Sequence, residues 1–67
     1  MVTLTVNGKQ REIIGPMALI KFLEANKIEP QLVVIEYNGE IIKRERWDEI
    51  TLKSGDKLEI VHMVAGG

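Results

Sequence analysis

The sequence predicts an α+β fold: a curved, mixed sheet of four to five strands packed on one helix. Three observations carry that prediction. Two Asn-Gly pairs, Asn7-Gly8 and Asn38-Gly39, each follow a β-branched run, and Asn-Gly flanked by alternating residues is the strongest short hairpin signal. Between the two hairpins lies a single run with helical spacing. The chain has 67 residues, 45% of them apolar, and no cysteine. It must therefore hold one small core by packing alone, without disulfides.

The elements follow in order. Val2 to Val6 reads V-T-L-T-V, a strict alternation that turns Val2, Leu4 and Val6 inward and Thr3 and Thr5 outward. After Asn7-Gly8 a return strand runs from Lys9 to about Ile14. Ile13 falls on the same face as Arg11, and Ile14 opposite, so this is expected to be an edge strand with the Arg11 stem lying along apolar surface.

Gly15-Pro16 ends that strand and is expected to open a helix over roughly Met17 to Lys27, since proline suits a first turn. Leu19, Phe22, Leu23 and Asn26 recur at i, i+3, i+4, i+7 and define its buried face. Lys21 and Glu24 fall on the wet face. Asn26 or Lys27 should end the helix, Ile28 should fold back on the core, and Pro30 forbids continuation.

Leu32 to Tyr37 is a second β-branched strand, returned through Asn38-Gly39 as the short run Glu40-Ile41-Ile42. Lys43 to Glu49 is a charged segment around Trp47, in which the mixed-sign run Lys43, Arg44, Glu45 and Arg46 reads as a solvated loop. Ile50 to Leu52 is a brief extended piece. Gly55-Asp56 turns the chain into a last strand, Lys57 to Val64, with Leu58 and Ile60 inward and Glu59 and Val61 outward.

One helix covers one face of such a sheet and leaves the other open. The strands from the two chain ends are expected side by side in its middle, joined in parallel. Leu4, Val6, Leu19, Phe22, Leu23, Ile35, Leu58 and Ile60 are the expected core.

Composition excludes several classes of function. Without cysteine there is no thiolate zinc site and no thiol nucleophile. With 9 basic and 10 acidic residues there is no basic excess for nucleic acid. No stretch approaches the ~20 apolar residues of a membrane span, and nothing resembles a signal peptide. A cytoplasmic protein without nucleic-acid or membrane partners is the expectation. His62 is the only histidine. With no nucleophile or orienting acid beside it, it makes no catalytic site. Trp47 reads as a residue capping the core edge, its indole N–H bonded to backbone.

The chain ends Val64-Ala65-Gly66-Gly67. Two glycines at a fixed place arise by chance at roughly 0.5%. Residues without side chains let an enzyme close a narrow channel around the backbone and reach the last carbonyl. An ionised carboxylate resists nucleophilic attack and needs activation, typically as an acyl-adenylate. The alternative is an inert end, as termini usually are. A tail over residues 64–67 is expected to be flexible, because nothing pairs it beyond the last strand.

These residues resemble the small sulfur carriers of thiamine biosynthesis, within the ubiquitin-like β-grasp proteins. The resemblance spans nearly the whole chain. It is densest in N-G-E-I-I-K-R-E-R-W and in T-L-K-S-G-D-K-L-E-I-V-H-M-V-A-G-G. Arg44, Glu45 and Trp47, the Gly55-Asp56 turn, and Val61, Val64, Ala65, Gly66 and Gly67 stand at the family's spacing. Lys43 departs from it, since many members carry proline there.

The resemblance implies a protein co-substrate, not an enzyme, with no catalytic residue, bound cofactor or metal site of its own. It implies that an adenylyltransferase related to ubiquitin-activating enzymes uses ATP to adenylate Gly67. Sulfur from a cysteine-desulfurase pathway then replaces AMP, leaving a thiocarboxylate that thiazole synthase consumes. Gly66 and Ala65 are the implied tail-threading residues. Residue alternation leaves Val34, Glu36, Glu59 and Val61 outward on the central strands, an apolar pair with acidic neighbours that suits a docking surface for a basic-rimmed enzyme. Scattered surface valines are the alternative. Two other functions remain open: the small subunit of molybdopterin synthase or a protein modifier with the same ending, and a non-covalent binding module with an unused tail. The shorter length and the R-E-x-W element argue against the molybdopterin branch.

Overall fold

In the computed structural model, which describes residues 1–63, the seven strands and one helix follow the order β1 (Val2–Val6), β2 (Lys9–Ile13), β3 (Met17–Ala18), α1 (Leu19–Ala25), β4 (Val33–Tyr37), β5 (Glu40–Ile42), β6 (Thr51–Leu52) and β7 (Lys57–His62). The main sheet has five strands in the order β2-β1-β7-β4-β5, and β3 and β6 form a separate two-stranded pair. β1 and β7 lie side by side in parallel, with Thr5 opposite Lys57 and Val6 opposite Leu58. All other pairings are antiparallel. The chain's first and last described strands thus form the centre of the sheet, as expected. The flexibility expected of residues 64–67 concerns a stretch outside the described residues.

Both hairpins turn on Asn-Gly. Asn7 and Gly8 have φ of 50° and 81°, and Asn38 and Gly39 have 51° and 87°. Positive φ at both central residues is the signature of a type I′ turn, whose twist matches that of the flanking strands. Asn7 also works across the sheet: its side chain accepts from the Ile60 amide at 2.6 Å and donates to the Ile60 carbonyl at 3.1 Å. That side chain continues the β1–β7 ladder where β1 has already turned away.

The helix is shorter than the spacing predicts. It begins at Leu19 and ends at Ala25, not over the expected span from Met17 to Lys27. Met17 and Ala18 are extended and pair with Leu52 and Thr51. Ala18 at the N-cap offers no side-chain acceptor, so the Leu19 amide is satisfied instead by the Ile50 carbonyl at 3.0 Å. A partner far along the chain thus decides where the helix starts, and no local signal reveals it.

The C-terminal end follows the expectation and shows its cause. The Lys27 amide bonds the Glu24 carbonyl at 3.0 Å and the Ile28 amide bonds the Leu23 carbonyl at 2.9 Å. This is the Schellman pattern, with Lys27 at φ 57° in the position that usually takes glycine. Ile28 packs against the core as the pattern requires.

Every residue of the expected core is buried, and Val2, Val33, Trp47 and Leu52 join them. Trp47 is 2% exposed, and its indole N–H donates to the Ile42 carbonyl at 2.9 Å. The edge-strand reading of β2 holds: the Arg11 guanidinium reaches back over Phe22, 5.8 Å from the ring centroid, and donates to Asn26 Oδ1 at 2.9 Å. Three boundaries differ. The segment expected as a loop is a 3-10 helix over Arg44–Glu49, which seats Trp47 in the core. Leu32 belongs to a 3-10 turn over Pro30–Leu32 and not to β4. β7 ends at His62 and not at Val64, which is outside the described residues.

Candidate functional site

β7 is the last described strand, so what fixes β7 also fixes where the chain reaches Met63. Its start is held by Asp56, which is only 4% exposed. One carboxylate oxygen accepts from the Tyr37 hydroxyl at 2.6 Å and from the Lys53 amide at 2.9 Å. The other accepts from Asn38 Nδ2 and from Lys53 Nζ, at 3.2 and 3.3 Å. Burial pushes the Asp56 carboxyl up. The hydrogen bonds from Tyr37, the Lys53 amide, Asn38 and the Lys53 ammonium outweigh that and hold it below its ordinary value. Tyr37 is pushed up, first by burial and then by its bond to Asp56, with Lys53 opposing. The Lys53 ammonium is held up by Tyr37 and Asp56. This cluster ties the end of β4 to the start of β7. Both carboxylate oxygens are engaged in holding that junction, so its role is geometric.

At the other end of β7 the strand is braced by the segment leading into β4, the Met63 amide donating to the Leu32 carbonyl at 2.8 Å. Register places Val34 opposite Val61 and Glu36 opposite Glu59. The four expected docking residues therefore meet as two direct cross-strand pairs on the face away from the helix. Val61 is 58% exposed, while Val34, Glu36 and Glu59 are half-buried. Like charges directly opposite destabilise a sheet. Among the described residues no ion pair relieves either glutamate.

The same face holds more apolar surface than Val34 and Val61 alone. Ile41 pairs with Glu36 from β5 and is 67% exposed. Leu32 and Met63, joined by their backbone bond, are 45% and 53% exposed. The sequence holds a signal for Ile41: in Glu40-Ile41-Ile42 only one of two adjacent isoleucines can face the core. Leu32 gives no such signal, because its β-branched neighbours make it look like strand.

His62 is exposed, on β7 opposite Val33, and among the described residues no side chain bonds to it. Among the described residues no cluster of His, Cys, Asp or Glu could hold a metal ion, and no helix is long and apolar enough to cross a membrane. Ala65, Gly66 and Gly67, the expected threading and reacting residues, lie outside the described residues. Met63, the last described residue, lines an open groove of about 400 Å³ with Pro30, Val34, Ile41, Lys43 and Arg44.

This arrangement offers a platform, the open sheet face, with Met63 at one end. Residues 4–67 match the model of the ThiS family, so the match includes both the platform and the closing glycines. The chain belongs to that family. It is 40% identical over 65 residues to the sulfur carrier protein ThiS of Bacillus subtilis, covering 96% of this chain and 98% of that protein. The fold agrees with the crystal structure of the thiamine biosynthesis protein ThiS from Geobacter metallireducens at a TM-score of 0.85, with 36% identity over 98% of this chain and 100% of that one. A thiazole synthase of Paramagnetospirillum magneticum is 31% identical over 64 residues, which are 96% of this chain and 20% of that protein. The family is that of the thiamine sulfur carriers, and the ubiquitin-like β-grasp expected from the resemblance is the fold observed.

Proposed function

We propose that this chain carries sulfur as a C-terminal thiocarboxylate on Gly67 for the thiazole ring of thiamine. The single observation carrying this reading is the near full-length likeness to the Bacillus subtilis sulfur carrier, supported by a family match that runs through Gly67. A Gly67 carboxylate oxygen attacks the α-phosphorus of ATP on an adenylyltransferase related to ubiquitin-activating enzymes, and pyrophosphate leaves. A persulfide from a cysteine-desulfurase pathway then attacks the acyl carbon and expels AMP. A second thiol cleaves the resulting acyl disulfide, leaving the thiocarboxylate on Gly67 and a disulfide on the donor side. Thiazole synthase takes the sulfur and returns the carboxylate. The likeness of one stretch of a thiazole synthase to this chain supports that pairing.

The chain is a co-substrate in this cycle and contributes shape. Gly66 and Ala65 thread the partner's channel, and the sulfur rides on the carboxyl group, so no thiol is needed. Val34, Val61, Glu36 and Glu59 form the docking face. The partner supplies the cation that the opposed glutamates lack and desolvates the valines. Intact mass after purification from the host tests the reading. A fraction heavier by the replacement of one oxygen by sulfur is expected, and it should vanish when the adenylyltransferase is deleted. Mass unchanged in thiamine-starved cells would contradict it.

A further inference from the structure

The groove beside Met63 has a chemistry different from that of the opposed glutamates. β4 runs from Val33 to Tyr37 but pairs with β5 only from Ile35. At Ile42 β5 gives way to Lys43 and the 3-10 helix that starts at Arg44, which leaves the β5 side of Val33 and Val34 open as a floor. Pro30, Ile41 and Met63 add apolar lining, and the exposed Lys43 and Arg44 bring two positive charges to it. Among the described residues neither cation is in an ion pair. Val34 and Ile41 belong both to this groove and to the open sheet face, so the two surfaces are continuous.

Position says what covers the groove. Residues 64–67 can span at most about 13–14 Å when extended. An enzyme that takes Gly67 into its active site must therefore bring the mouth of its channel within that distance of Met63. Met63 itself lines the groove.

We infer that the groove seats a segment of the adenylyltransferase at the mouth of its tail channel, an apolar side chain on the floor with a carboxylate beside it for Lys43 and Arg44. This rests on the proposed activation of Gly67 and adds a second, oppositely charged half to the docking footprint. The partner meets Glu36 and Glu59 with cations and Lys43 and Arg44 with anions. A two-signed footprint fixes rotation about the contact, because turning the partner by half a turn opposes like charges at both ends. Rotation matters because the tail is short and the reacting carbon must arrive in register.

The test uses the full-length carrier and its adenylyltransferase. Lys43→Glu with Arg44→Glu reverses both groove cations. Lys9→Glu with Lys21→Glu makes the same change in net charge at exposed positions away from the groove, which separates local contact from long-range steering. Circular dichroism and melting confirm the fold of each variant. The groove variant should bind at least about tenfold more weakly, with a smaller salt dependence than the wild type, and the control should stay within about twofold. Ile41→Asp should weaken binding likewise. Wild-type pyrophosphate exchange reports on the proposed activation independently. If exchange proceeds while the groove variant binds like the control, the inference is wrong and the activation reading stands. The inference is equally wrong if the groove variant keeps its affinity for the enzyme but abolishes self-association of the carrier. Without wild-type exchange both fall together.

Discussion

At the scale of single residues, Asp56 decides how β7 starts. Its carboxylate accepts four hydrogen bonds while almost fully buried. Its pKa is depressed on folding, so its contribution to stability is present above the ordinary carboxylate range and is lost as pH falls through the lowered folded value. Tyr37 and Lys53 are raised, so theirs is present below about pH 10 and lost as pH rises further. Between about pH 4 and 10 all three contributions hold. Asp56→Asn should cost on the order of 2 kcal/mol near pH 7, because hydrogen bonds to a charged acceptor are lost. The gap from wild type should narrow as pH falls from about 5 toward 2. Urea titrations across that range check it, and curves that stay parallel would contradict it. In the sequence Gly55-Asp56 is legible only as a turn, because Tyr37 and Asn38, the partners that make the carboxylate structural, come from another strand and its turn.

Lys27 belongs to the same scale. It sits at φ 57°, a conformation that costs a side-chain-bearing residue about 1–2 kcal/mol. Glycine removes that strain but loses more entropy on folding. Lys27→Gly should therefore stabilise by roughly 0.5–1 kcal/mol, read as a higher melting temperature. A lower one would mean that the lysine stem contributes packing that outweighs the strain.

At the scale of elements, periodicity is legible in the sequence and tertiary substitution is not. Both Asn-Gly hairpins and the alternation in β1, β4 and β7 appear in the residue order, because turn chemistry and a two-residue period are local. The start of α1 and the 3-10 helix at Arg44–Glu49 have no such local signature. The first is capped by the distant Ile50 carbonyl and the second is anchored by burial of Trp47. The helix is the element that covers the inner face, and Leu23 is both fully buried and the source of the carbonyl that accepts the terminal Ile28 bond. Leu23→Ala should cost about 2–5 kcal/mol, out of a total of about 5–15 for a domain. A near-neutral effect on thermal melting would show that the helix is not the keystone described. On the opposite face, Val61→Asp adds a third acid beside Glu36 and Glu59 and leaves the core untouched. It should preserve the circular dichroism spectrum and weaken binding to the adenylyltransferase. If affinity is unchanged, the docking face lies elsewhere.

At the scale of the whole molecule, the proposed role of the fold is to aim residues 64–67 at the partner's active site. The parallel β1–β7 pair locks the last strand in the centre of the sheet, the Asp56 cluster fixes one end of that strand, and the Met63–Leu32 bond braces the other. The resemblance carried by the closing residues points to function more directly than any cavity does, because the proposed working group is backbone and carboxylate. The surface around it is only half legible in the sequence. Val34, Val61 and the two glutamates follow from alternation. The basic groove, in contrast, forms only when β5 stops short and Arg44 turns aside.

If the fold serves that aim, the Gly67 carboxylate must arrive at one place. Appending one alanine moves the carboxylate by about 3.5 Å, and misplacement on the order of 1 Å can cost ~100-fold in rate. Pyrophosphate exchange catalysed by the adenylyltransferase, measured with the wild type, the alanine-extended form and the form lacking Gly67, tests it most directly. All three should fold and bind, and only the wild type should support exchange. Exchange by the alanine-extended form at the wild-type rate, without prior trimming, would contradict the terminal-carboxylate mechanism.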